Sequence, residues 1–147
     1  PVVVDGYVYA QGERRMCCVN LDTGEEAWNT LLDLATPQYT SLVAGDHKVI
    51  YAYDGVLIVA ADAKEFRVVF AAKLDKTGLM ASEDEFRRRL KLGDLERTEG
   101  GLEKSLRLYQ QQIGNQGPLR CSSPALVDGK LYVRLKQAVA CYDLAAH

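Results

Sequence analysis

This 147-residue chain is poor in the side chains that most often carry chemistry. Its two histidines, His47 and His147, have no cysteine or carboxylate at metal-ligand spacing, which excludes the common zinc motifs. The four cysteines (Cys17, Cys18, Cys121, Cys141) form no CxxC pair and are too few and too irregular for a disulfide scaffold. They leave the redox compartment open. Eighteen basic residues nearly balance twenty acidic ones, so no global field draws the chain to nucleic acid or an anionic membrane. Apolar runs such as Val56 to Ala61 are far too short to span a bilayer. There is no phosphate-binding glycine loop, no G-x-S-x-G elbow around Ser122-Ser123 and no calcium loop. The chain opens at Pro1 without a basic leader and runs directly into the strand-like Val2-Val3-Val4, which suggests a piece of a longer polypeptide.

What the chain has is internal repetition. Its hydrophobic fraction of 48% and charged fraction of 26% suit an ordinary domain with a buried core. Pro1-Val2-Val3-Val4-Asp5-Gly6-Tyr7-Val8-Tyr9 recurs as Pro124-Ala125-Leu126-Val127-Asp128-Gly129-Lys130-Leu131-Tyr132, and more loosely from Ser41 to Tyr51. Each copy reads as strand, tight turn, strand. Asp-Gly between apolar runs marks a type I′ hairpin, which requires positive φ at both central residues. The segments after the hairpins also repeat. They are Cys18-Val19-Asn20-Leu21-Asp22-Thr23-Gly24 leading to Trp28, Ala60-Ala61-Asp62 leading to Phe70, and Cys141-Tyr142-Asp143-Leu144. In each copy a small residue precedes Asp or Asn by two positions. That acid or amide can cap a turn through backbone N–H groups, and Gly24 gives the turn its freedom.

These segments resemble the tryptophan-docking motif of β-propellers of the pyrroloquinoline-quinone (PQQ) type, A-x-D-x-x-T-G-x-x-x-W. The first copy matches at Asn20, Thr23, Gly24 and Trp28, with Cys18 in the place of Ala. The second keeps Ala60 and Asp62, with Phe70 for Trp; the third keeps Asp143, with Cys141 at the small position. The resemblance covers about 1–74 and 122–144. It implies an all-β chain: a β-propeller segment of about three four-stranded blades, the last incomplete, with a helical insertion. Two blades would fill 1–76, the insertion 77–118 and a partial third blade 119–147. The rival all-β reading is a β-sandwich, against which the recurrence of one motif in register argues. Three blades cannot close a ring of four to eight, so missing blades or other copies are implied.

Within the insertion, Ser82-Glu83-Asp84-Glu85 reads as a capping box opening a helix through Phe86 and Leu90, with Gly93 to end it. A second helix is expected from Leu102 to Ile113. Leu102, Leu106, Tyr109 and Ile113 would form its apolar stripe, and Gly114 its end.

The tempting residues each have a structural reading. Adjacent cysteines occur over the cofactor in PQQ alcohol dehydrogenases. Here Cys17 and Cys18 fall in a strand, where successive side chains point to opposite faces. Trp28 is expected to pack between blades rather than under a quinone. Arg87-Arg88-Arg89 is offset by Glu83, Asp84 and Glu85 one turn earlier. Asp5 and Asp128 belong to turns.

No catalytic, cofactor-binding or metal residue is therefore assigned. The expected function is a non-catalytic binding or scaffolding module with no bound cofactor. Its partners would be proteins or the missing blades, not nucleic acid. The alternative is a fragment of a quinoprotein dehydrogenase using PQQ and calcium. By resemblance alone, the expected location is bacterial and extracytoplasmic.

Overall fold

The computed structural model describes residues 1–33, 41–53, 55–114 and 122–144. Cys121, His147, the end of the expected insertion at Pro118 and the start of the expected third blade lie outside these residues. Among these residues the chain is mostly β, in three antiparallel sheets, none of them closed on itself.

The first sheet runs β1 (Val2–Val4), β2 (Tyr7–Gly12), β3 (Arg15–Asn20) and β4 (Glu26–Leu31) in chain order. The second contains β5 (Leu42–Gly45), β6 (Lys48–Ala52), β7 (Gly55–Ala60), β8 (Val68–Leu74) and β9 (Met80–Ala81). It has five strands where four are expected. Asp75 Oδ1 accepts the Thr77 and Leu79 backbone N–H groups (2.8 and 2.9 Å), turning the chain back so that β9 pairs with β8. The third sheet holds β10 (Ala125–Val127), β11 (Lys130–Arg134) and β12 (Val139–Asp143).

Each sheet starts with the hairpin the sequence predicts. Asp5 and Gly6 have φ of 49° and 78°, Asp46 and His47 48° and 50°, Asp128 and Gly129 49° and 72°. Positive φ at both positions is the type I′ requirement. His47 adopts it without being glycine and places Nδ1 2.6 Å from Asp5 Oδ2, joining the first two turns.

Two apolar layers separate the sheets. Tyr9, Met16 and Cys18 meet Val49, Tyr51 and Val59 in one; Ile50, Val56 and Ile58 meet Leu131 and Val133 in the other. The second sheet is thus buried on both faces, which is why β6 and β7 read as nearly unbroken apolar runs. Strand β5 touches both β1 and β10. Its approach to the third sheet is close: a Cβ on Gly45 would stand 2.6 Å from Leu126 Cδ2.

Three helices follow β9: α1 (Glu83–Arg89), α2 (Leu92–Glu96) and α3 (Gly101–Tyr109), the last running into a π-helical turn at Gln110–Gly114. Ser82 caps α1 by accepting the Glu85 N–H at 3.2 Å. Gly93 does not end it. The chain leaves α1 at Leu90, Lys91 takes the left-handed conformation (φ 52°), and Gly93 lies inside α2.

The expected apolar stripe is also redistributed. Leu102 is 73% and Leu106 60% exposed, while Gly101 and Ser105 face inward and Ile113 is buried. Two causes are visible. Gly101 lets α3 approach α2 so closely that a Cβ would lie 1.8 Å from the Leu95 carbonyl oxygen. The wider turn at 110–114 then breaks the 3.6-residue period, so Ile113 no longer shares a face with Leu106. Glu96 fixes the pair, accepting from Ser105 Oγ and Arg87 Nη2, each at 2.7 Å. These two donors, Ser105 first, hold the Glu96 carboxyl below its ordinary range.

Candidate functional site

The first docking turn is built from the end of β3. Asn20 Oδ1 accepts the backbone N–H groups of Asp22 and Thr23 at 2.9 and 3.0 Å, and the Asn20 carbonyl accepts from Gly24 at 2.9 Å. Gly24 needs a φ of 74° there, and the Thr23 hydroxyl accepts the Glu25 N–H. A bulge between Cys18 and Val19 then sets Trp28 directly opposite Cys18.

From that position Trp28 crosses to the second sheet. Its Nε1–H donates to the Asp62 carbonyl at 2.8 Å. Phe66 meets its ring edge-on at 5.5 Å between centroids, and Tyr9 lies against it at 5.9 Å. Tyr9 shares a hydrogen bond with Cys18, its partner across β2 and β3. Burial is the main cause that raises the pKa of both the Tyr9 phenol and the Cys18 thiol, so both stay protonated near neutrality. Cys17 points to the opposite face, with its Sγ 3.7 Å from the Ala10 carbonyl. Both cysteines are free thiols.

The second copy differs from its sequence alignment. Ala60 lies opposite Lys48 as Asn20 lies opposite Tyr7, so Ile58, not Ala60, holds the position of Cys18. The backbone agrees: Ala60 N bonds to Arg67 O as Asn20 N bonds to Glu25 O. Asp62 is therefore two residues past the Asn20 position. Its side chain caps a separate local turn, accepting from Lys64 N at 2.8 Å, while its carbonyl receives Trp28. The physical reason is loop length. Residues 61–67 join β7 to β8, where 21–25 suffice between β3 and β4.

Phe70 faces Ile58 across the strands and is 42% exposed. It borders a cleft of about 1040 Å³ between the second and third sheets, with Lys48, Tyr142, Asp143 and Leu144 also on its walls. In the third sheet Cys141 stands opposite Tyr132 and Asp143 opposite Lys130, the register of Cys18 and Asn20 in the first. The Tyr132 phenol is hydrogen-bonded to Cys141, which raises its pKa.

Tyr9, Tyr132 and Phe66 are the contributors that the motif alone misses. A signal for the tyrosines was available, since each stands nine positions before its cysteine. Phe66 has no counterpart in the shorter first turn.

Trp28 has its ring packed between Tyr9 and Phe66 and its only donor committed to Asp62, so it does not offer a free face to a planar cofactor. Among the described residues, no three His, Cys, Asp or Glu side chains converge as metal ligands. Arg88 and Arg89 pair with Glu85, and Arg87 with Glu96, on the helical segment. Among the described residues no helix is long and apolar enough to cross a membrane. No protein-family model and no curated protein matches the chain.

Proposed function

We propose that the three sheets are consecutive blades of a PQQ-like β-propeller and that the segment serves as a non-catalytic binding or scaffolding module for protein partners. The observation that carries this reading is a closure repeated in all three sheets. Leu21 N bonds to Gly6 O, Ala61 N to His47 O and Leu144 N to Gly129 O, at 2.9, 2.8 and 2.8 Å. One structural unit is thus used three times, with β5 in contact with its counterparts β1 and β10. The special side chains are consumed in holding the units together: Asn20 and Gly24 in a turn, Trp28 between sheets. The helical segment after β9 adds exposed apolar surface at Leu102 and Leu106, and insertions of this kind are where repeat proteins carry their individual function. Export from a bacterial cell belongs to the same proposal and rests on the family resemblance alone.

The test is a titration of the protein with PQQ and Ca²⁺, followed by cofactor absorbance and Trp28 fluorescence, beside a dye-linked assay across many alcohols. We expect neither stoichiometric uptake nor turnover. Saturable one-to-one uptake with PQQ-dependent oxidation would replace this reading by the quinoprotein dehydrogenase. In a protein whose partner has been identified, deletion of residues 77–117 is expected to abolish capture.

A further inference from the structure

Two rows of side chains run along α3, offset by one residue. Gly101 and Ser105 form the buried inner row, while Leu102 and Leu106 form the outer row, 73% and 60% exposed. At 3.6 residues per turn the inner row continues through Leu108 to Gln112, and the outer row through Tyr109 to Ile113. An unbroken α-helix would therefore bury an amide and leave an isoleucine beside the exposed leucines.

The π-helical turn reverses that outcome. The ladder is still α-helical where the Gln110 N–H reaches Leu106 O, and it becomes π-helical over Gln110–Gly114. A π-helical turn closes its bond one residue later than an α-helical turn. Ile113 thereby takes the inner place that Gln112 would have held, and only 1% of it is exposed. The Gln112 carbonyl accepts the Lys76 N–H at 2.9 Å, from the turn between β8 and β9.

The local sequence suits both registers. Gln110, Gln111 and Gln112 are identical, so a slip of one place exchanges glutamine for glutamine along the run. Gly114 follows at once, and a residue without a Cβ tolerates either exit direction. The π register is held by burial of Ile113 and by the bond from Lys76.

We propose that residues 110–114 form a two-register switch. A slip to the α-helical register moves Ile113 from the inner row to the outer one, beside Leu102, Leu106 and Tyr109. The same slip takes Gln112 O away from Lys76. Its effect reaches the second junction, because the turn that carries Lys76 also gives its Gly78 carbonyl to the Tyr142 hydroxyl at 2.7 Å. The two registers compete for one isoleucine, and whatever favours one of them shifts the population. The switch is a property of the helix end and stands whether or not the segment captures a protein.

Nuclear magnetic resonance tests it, because couplings across N–H···O=C bonds separate i→i+5 from i→i+4 ladders directly. Relaxation dispersion of the wild-type chain is expected to show exchange at 110–114 and at Lys76, with β2 and β3 flat. Ile113→Gln removes the preference for burying residue 113, so its ladder should stay i→i+4 to the helix end. Its Lys76 amide should exchange with solvent roughly tenfold faster, as the loss of one hydrogen bond implies. Deletion of Gln111 takes out the extra residue and should give an unbroken α-helix with the isoleucine still buried and no dispersion. Should Ile113→Gln loosen the whole segment, Ile113→Ala serves in its place. A ladder that stays i→i+5 in these substitutions, or flat wild-type dispersion at 110–114, overturns the proposal. A Gln111 deletion that costs the helices their amide protection overturns it too, since the π turn would then be a fixed requirement of the fold.

Discussion

The junction between the first and second sheets and the junction between the second and third share an apolar layer but differ at the outer strand. At the first, Trp28 is seated between Tyr9 and Phe66 and donates to Asp62. At the second, Phe70 occupies the equivalent position opposite Ile58, half-exposed beside an open cleft. An aromatic on the outer strand is not enough to lock two sheets. It needs a connection on the next sheet long enough to fold over the ring, with a carbonyl turned toward it. Residues 61–67 provide both for Trp28.

The largest effect should come from breaking the filled junction. Trp28→Ala is expected to cost about 3–5 kcal/mol, and Phe70→Ala about 1–2 kcal/mol, because a half-exposed ring has less burial to lose. Urea denaturation of the two variants measures the contrast, and equal losses would remove it.

Next in size is Gly101→Ala. With Leu95 O in the way of the new Cβ, the helices must separate at a cost of about 1–3 kcal/mol. Hydrogen exchange should show lost amide protection in α2 and α3 with β6 and β7 unchanged. Loss of protection throughout would mean that the helical segment supports the sheets.

Asn20→Ala gives the first turn the residue that the second has at Ala60. Losing the two bonds to Asp22 and Thr23 should cost about 1 kcal/mol, read from the denaturation midpoint. No change would mean that the backbone bonds of the turn suffice without its side-chain cap.

The smallest effect concerns alkaline pH at the second junction. Burial first, and the Asp75 carboxylate second, push the Tyr142 phenol from 10.0 up to about 12, while its hydroxyl donates to Gly78 O at 2.7 Å. A group with a raised folded pKa stabilises fully below its unfolded value. Above pH 10 the unfolded chain ionises first, so stability falls until about pH 12. Tyr142→Phe should flatten part of the decline in Tm between pH 10 and 12, leaving the share due to Tyr9, Cys18 and Tyr132. An unchanged slope would place the loss with those other groups.

Much of the β framework was legible residue by residue. Asp5-Gly6 and Asp128-Gly129 carry their turn type in their chemistry, and the apolar runs on either side of them marked the paired strands. The capping role of Ser82 was equally local. The alignment of Ala60 and Asp62 with Cys18 and Asn20 misled, because motif spacing is blind to how many residues a loop takes. Gly93 misled for a related reason: Lys91 accepted a left-handed conformation that glycine would have taken at less cost. The pairing of β9 was missed because a two-residue strand has no periodicity to read.

The sequence by itself determined where the chain turns, which residues alternate and that one unit recurs, since these depend on φ preferences and on neighbours a few positions apart. Only the tertiary structure decided which aromatic is sheltered, which face of α3 is buried and how the second copy registers with the first. Those outcomes depend on what arrives from far along the chain. Asp62 reaches Trp28 across 34 positions, and Leu95 reaches Gly101 only because no side chain stands between them.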